Sequence, residues 1–263
     1  MLSIGLSSFG QSIYGSISGG IQRVVSYDAV PSVQMVNTSH SVTLYNGPQS
    51  FSFDYLQHID VHFGHWVNKK FGYELEASYI KPNTIEDNYY TAATFSGQFI
   101  QLNPKACWNI KNTENHSIYM KIGALATMGK LIYQQKEIYG PSQKLVYEYG
   151  GDVAFGVNGG IGFSIKLNKK IALQAELGYT HQLYSPKYGL QIVQVIDGDE
   201  SESYRNPYQS EMEFGDTQYT PNEDYDINQP QKFYSRNYSL SGYGITLGIT
   251  YTLWEKKEEG IPK

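Results

Sequence analysis

The stretch Gly242-Tyr243-Gly244-Ile245-Thr246-Leu247-Gly248-Ile249-Thr250-Tyr251-Thr252-Leu253-Trp254 decides the fold. Every odd position from Tyr243 to Leu253 is large and apolar or aromatic, and every even position up to Thr252 is Gly or Thr. Side chains of a strand alternate between its two faces, so this segment has one bulky apolar face and one small, nearly chargeless face. The solvent face of a water-soluble sheet carries Lys, Glu and Arg. A face trimmed to Gly and Thr suits the crowded interior of a narrow barrel whose bulky side chains look outward.

The composition agrees. The 263 residues include 24 Tyr and 26 Gly with only 17% charged residues, against about 25% charged in soluble domains. Tyr suits strands and membrane interfaces, and Gly suits a tight lumen. No run of 18 apolar residues exists, which excludes a membrane-spanning helix. The mean hydropathy of -0.42 remains compatible with a barrel, because half of each strand faces inward. A net charge of -5 without a basic cluster argues against nucleic-acid binding. The single Cys107 cannot form an internal disulfide and reads as a strand residue. Residues 1–10 are apolar and small, and Ser8-Phe9-Gly10 resembles the end of a secretory signal without its basic start. They read as its remnant, 11–254 as one barrel domain and 255–263 as a short periplasmic tail.

Period-2 alternation marks eight strands, at about 12–25, 52–67, 71–81, 92–110, 117–134, 152–167, 171–183 and 242–254. The fourth is the least regular, and Pro104 within it predicts a bulge. Connections after the second, fourth and sixth strands are short and polar, including Asn68-Lys69-Lys70 and Asn168-Lys169-Lys170. Those after the first, third, fifth and seventh run to about 25, 10, 15 and 50 residues. Sorting of loops by parity is expected of an outer-membrane barrel, with short periplasmic turns and long extracellular loops. A soluble ligand carrier of the lipocalin kind would lack this asymmetry and would turn its bulky residues inward. Trp66, Trp108 and Trp254 all fall at the short-turn end and predict an aromatic rim there, although alternation points Trp66 inward.

Thr246-x-Gly248-x-x-Tyr251-x-Leu253 resembles the carboxy-terminal assembly signal of outer-membrane barrels, and the eight-strand layout is similar to the OmpA transmembrane domain, OmpX and PorT types of outer-membrane β-barrel domain proteins. The resemblance covers nearly the whole chain. It implies a transmembrane, antiparallel, up-and-down barrel of eight strands in a bacterial outer membrane. It also implies membrane lipids as surroundings and the barrel-assembly machinery as a transient partner. The chain runs ten residues past Leu253, where such proteins often stop at an aromatic.

Alternation assigns a lumen network of His58, Asp60, His62, Glu74, Glu76, Lys121, Asp152, Lys166, Gln174 and Glu176. Isolated charges in so narrow a space are costly, so opposite signs are expected to pair across strands into a plug that fixes register. A narrow ion path is the alternative. His58-x-Asp60-x-His62 invites a metal, yet its two imidazoles sit about 13 Å apart along one strand face, too far for one zinc with ligands near 2 Å. A lipid-modifying enzyme, a deacylase or acyltransferase, would need His, Ser and a carboxylate to converge on the outer wall or rim. His65 and His181 (the latter near Ser185) have no evident third member, and no nucleophile motif is present. The chain therefore reads as non-catalytic, without a cofactor, and monomeric. Between Asp197 and Asp226 there are ten acids and one base, a local balance of -9 that leaves about +4 elsewhere. This long loop, about 184–236, is expected to be solvated. Asp197 and Asp199 are its candidate calcium ligands, and its tyrosines suit recognition of an extracellular protein or surface ligand.

Overall fold

The computed structural model describes residues 12–25, 37–38, 41–42, 49–87, 91–137, 143–196, 199–200, 210–215, 228–234 and 236–255. The signal remnant at 1–10, the tail after Glu255 and Asp197 lie outside them, and of Asp199 only its short strand Asp199–Glu200 is described.

The fold is all-β. Its eight long strands are β1 (Ser12–Val24), β2 (Tyr55–Trp66), β3 (Phe71–Pro82), β4 (Thr91–Asn112), β5 (His116–Glu137), β6 (Val153–Lys166), β7 (Ile171–Tyr184) and β8 (Gly242–Glu255). Each pairs antiparallel with its sequence neighbours. β8 pairs with β1, which closes the barrel. Closure leaves no unpaired edge in the wall, as a chain must arrange if that wall is to face hydrocarbon.

The bulky residues point away from the axis. Phe155 is 75% exposed, Leu247 62%, Ile245 56% and Phe163 42%, and every strand contributes large exposed apolar side chains. Alternate positions are small or polar and face inward. Gly64 lies opposite Tyr14 in the β1–β2 register, and a Cβ on it would come within 2.1 Å of that ring. Gly162 makes the same room for Tyr119, where a Cβ would stand 2.2 Å from the ring. Gly248 lies against Ser18 and Gln174, so its small size packs the lumen as well as matching the assembly signal. The other positions of that signal divide by face: Thr246 lines the interior, while Tyr251 and Leu253 are exposed on the wall.

Two expectations about β4 and β2 change. Pro104 makes no bulge: pairing with β5 keeps one register from Leu102↔Ala126 to Lys105↔Gly123, and only the two intervening pairs are lost. Pro104 faces outward, where its missing N–H costs ladder bonds without shifting the strand. The irregularity lies instead between Asn109 and Lys111, and a second one falls between Ile13 and Tyr14 opposite β8. Gln49–Ser52 is not the start of β2 but a separate strand, parallel to Arg236–Ser239.

At the short-turn end Asn68 and Asn168 close equivalent turns. Asn68 Oδ1 accepts from the backbone N–H groups of Lys70 and Phe71, and Asn168 Oδ1 from those of Lys170 and Ile171. At the other end the long connections hold strands of their own. Gln143–Gly150 extends the sheet from the upper part of β5, Tyr188–Ile196 pairs with it, and Glu211–Gly215 and Gln231–Tyr234 follow. Counting the short Asp199–Glu200, which pairs with Tyr188–Ile196, the described residues of the expected solvated loop thus contribute four strands to an outer sheet. The apolar core sits at this mouth: Val24, Phe53, Leu56, Ile80, Phe99, Leu131, Tyr149, Tyr184, Phe214, Tyr238 and Leu240 are buried against one another.

Replacing Gly162 with Leu is expected to destabilise the barrel by about 1–3 kcal/mol through overpacking against Tyr119. Gly159→Ala, where the added Cβ meets nothing nearer than 3.5 Å, should stay within about 0.5 kcal/mol. Urea unfolding in detergent, followed by heat-modifiable gel mobility, measures both.

Candidate functional site

Below the apolar mouth the lumen holds a charged network, built by strand alternation and register. β2 turns His58, Asp60 and His62 inward, β3 Glu74 and Glu76, β4 Asn103 and Lys105, β5 Tyr119 and Lys121, and β7 Gln174 and Glu176. Lys121 Nζ reaches Glu74 Oε1 at 3.0 Å and Glu176 Oε2 at 2.8 Å. Lys105 Nζ donates to Glu76 Oε2 at 2.6 Å and lies 3.9 Å from Glu176. Asn103 Nδ2 donates to the other Glu76 oxygen at 2.9 Å. Tyr14 and Tyr119 donate their hydroxyls to Glu74 and Glu176, at 2.7 Å and 3.3 Å. Charge-assisted bonds of this kind are about twice as strong as neutral ones, and each carboxylate here has several donors.

His62 links the network to β1. Its Nδ1 lies 3.0 Å from Glu74 and 3.2 Å from Glu76, and its Nε2 lies 2.7 Å from Ser18 Oγ. With Nδ1 between two carboxylates, the proton belongs on Nδ1. The Ser18 hydroxyl donates its one proton to Asp60 Oδ2 at 3.0 Å, and Asp60 pairs with His58 Nδ1 at 2.8 Å. Ser18, His62 and Glu74 thus have the atom order of a nucleophilic triad. The Ser18 hydroxyl, however, is shared with Asp60 and buried in the lumen. Gln174 lies apart from this cluster, where it accepts from Thr250.

Two expected lumen residues are elsewhere. Asp152 precedes β6, accepts from the backbone N–H of Val153 and pairs with the exposed Lys187 at 3.3 Å. Lys166, the last residue of β6, is exposed at the short-turn rim. Alternation gives the direction of a side chain but not its depth, and both lie past the ends of the enclosed interior. Trp66 also departs from the expected rim. Its ring stacks on the buried Tyr14 at 6.5 Å and closes the short-turn end of the lumen, while Trp108 and Trp254 are about half exposed on the wall. Trp108 meets Phe71 edge-on at 5.6 Å.

Lys105, Asn103, Tyr14 and Tyr119 were not anticipated. Outward Ile100, Leu102, Ala106 and Trp108 on β4 carried the signal for Lys105. The glycines opposite each tyrosine carried the other. On the outer wall His65 Nδ1 lies 3.0 Å from the Tyr73 hydroxyl, and at the mouth the half-buried Ser185 donates to Asn237. Neither forms a Ser–His–carboxylate set there. An internal cavity of about 80 Å³ remains within the network, lined by Asp60, His62, Glu76, Lys105 and Lys121 among others, with Leu56, Ile80 and Leu240 toward the mouth.

The fold and lumen define a class: a closed eight-stranded barrel with an apolar wall and a charged, side-chain-filled interior. Among solved structures, the chain is similar to Ail, the attachment invasion locus protein of Yersinia pestis. Identity is 11% over 93% of this chain and 99% of that one, with a TM-score of 0.38. It is also similar to a major outer membrane protein from Thermus thermophilus, at 12% identity over 92% and 99% of the two chains and a TM-score of 0.42. No protein-family model and no curated protein sequence matches it.

Removing Lys121 leaves Glu74 and Glu176 without their shared cation. Lys121→Met is expected to cost about 3–5 kcal/mol, the usual penalty for breaking a buried pair from one side. Adding Glu74→Gln should recover part of that loss, and a double-mutant cycle by urea unfolding reads the coupling.

Proposed function

We propose that the chain is an integral protein of a bacterial outer membrane, of the small OmpA-transmembrane-domain, OmpX and PorT type. On this reading its role is non-catalytic: structural in the envelope, or recognition of an extracellular protein or surface ligand through the sheet and loops at the mouth. One observation carries the reading, namely the inverted polarity of the barrel. Large apolar side chains are exposed on all eight strands while Asp60, Glu74, Glu76, Lys105 and Lys121 are buried. Water would not tolerate so extensive an exposed apolar surface, and acyl chains would.

The interior supports a plug rather than a pore. An eight-stranded barrel is just wide enough to be filled by its own side chains. Here ion pairs fill the middle, the apolar cluster covers the mouth, and Trp66 on Tyr14 covers the turn end. Trp108 and Trp254 on the wall and exposed lysines at the turns, among them Lys70, Lys166 and Lys170, suit the periplasmic interface. The location of Ser18 inside the lumen favours a structural over a hydrolytic role for its bond to His62.

Leu247→Arg, at the centre of the exposed band, is expected to cost about 2–4 kcal/mol of insertion. It should lower the amount of heat-modifiable protein recovered in the outer-membrane fraction, whereas Thr246→Ser should not. In planar bilayers the purified barrel is expected to give no steady conductance, and the lipid A acyl pattern of cells with and without it should be identical. Channel steps would favour the ion-path alternative, and an altered acyl pattern would favour the enzyme. Capture of a surface partner from intact cells, lost on deletion of the acidic loop, is the expected sign of recognition.

A further inference from the structure

The carboxylates of the lumen outnumber its ammonium groups. Among the described residues the lumen cluster holds four carboxylates, Asp60, Glu74, Glu76 and Glu176, against two ammonium groups, Lys105 and Lys121. The imidazole of His58 stands beside Asp60, and that of His62 stands between Glu74 and Glu76. Lys121 bridges Glu74 and Glu176. Lys105 stands between Glu76 and Glu176, so it can turn to Glu176 and complete two ammoniums on two carboxylates. Asp60 and Glu76 then hold no ammonium group of their own.

We infer that Asp60, His62 and Glu76 form a binding site for a divalent transition-metal ion of the zinc type. His62 and Asp60 share one face of β2, and Glu76 lies directly opposite His62 on β3. One ligand atom from each comes within 4.8 Å of the other two, and all three residues are buried. Ligands of a tetrahedral zinc are separated by about 3.3 Å at metal–ligand bonds near 2.0–2.1 Å, so small rotations of these side chains complete the set. The 80 Å³ cavity borders all three and has room for the ion and a water in a fourth position. Asn103 is fully buried and donates to Glu76, which holds that carboxylate in place. An imidazole nitrogen with two carboxylates selects zinc over magnesium or calcium, which prefer oxygen alone. His58 is not a ligand: its Nδ1 lies 2.8 Å from Asp60 and orients that carboxylate. The spacing that forbids one ion between two histidines of β2 is thereby no obstacle, because the third ligand comes from the neighbouring strand.

Because the lumen is covered at both ends, zinc enters as the barrel forms. The full chain is refolded from urea into detergent with zinc chloride, folded protein is selected by heat-modifiable mobility, and the metal is measured after desalting. About one zinc per chain is expected. Asp60→Asn, His62→Ala and Glu76→Gln should each lose at least about ten-fold in affinity, and Asp152→Asn should change nothing. X-ray absorption of the zinc-loaded native chain should show one imidazole and carboxylate oxygens near 2.0–2.1 Å, and this needs no variant to fold. Folded protein without zinc, zinc retained in full by His62→Ala, or a shell of oxygens alone would each overturn the site, the first in favour of protonated histidines as the missing charge.

Discussion

The ammonium group of Lys121 is the pivot of the molecule. It stands on β5 and holds carboxylates from β3 and β7, 3.0 Å and 2.8 Å away, so one side chain ties three walls of the barrel together through its centre. With the apolar side chains of the mid-barrel turned outward, the strands have an oily interior to collapse upon only at the mouth. Backbone ladders hold neighbours together, and paired charges hold opposite sides. This arrangement demands that the interior be stocked with partners of both signs at matched heights. It also demands small residues wherever a large polar side chain must lie flat, as Gly64 and Gly162 do for Tyr14 and Tyr119.

Much of this was legible in the sequence because a strand's period of two is unforgiving. Once Ile245, Leu247 and Ile249 face one way, Thr246, Gly248 and Thr250 must face the other. The same parity placed Asp60, His62, Glu74, Glu76, Lys121 and Glu176 on inward faces, and the structure brings these six within one network. What parity does not encode is depth along the barrel, and so it points Asp152 and Lys166 toward an interior that ends before reaching them. Nor does it encode which proline shifts a register. Pro104 lies on the outer face and leaves β4 in step, whereas the irregularity at Asn109 and Lys111 has no comparable mark in the sequence.

The mouth was the least legible part. Its apolar cluster joins Val24, Phe53, Leu56, Phe99, Leu131 and Tyr184 to residues of the long connections, including Tyr149, Phe214 and Tyr238. The contributors from the connections sit in short segments without sustained alternation, and those from the barrel strands are apolar residues near the mouth ends of their strands. The density of acids between Asp197 and Asp226 further disguised it as solvated loop. Aromatic contacts such as Phe99 on Tyr184 at 5.0 Å and Tyr149 on Phe214 at 5.5 Å depend on pairings between strands far apart in the chain, which no local pattern announces.

β4 and β5 are each 22 residues long, whereas β1 has 13. At about 3.3 Å per residue, the hairpin they form is some 30 Å longer than the first strand, and all of the excess stands on one side of the barrel. Among the described residues the outer sheet pairs onto the barrel through β5, on the tall side. In its described residues, the platform that a macromolecule would meet along the barrel axis is therefore lopsided, tall above β4 and β5 and low above β1.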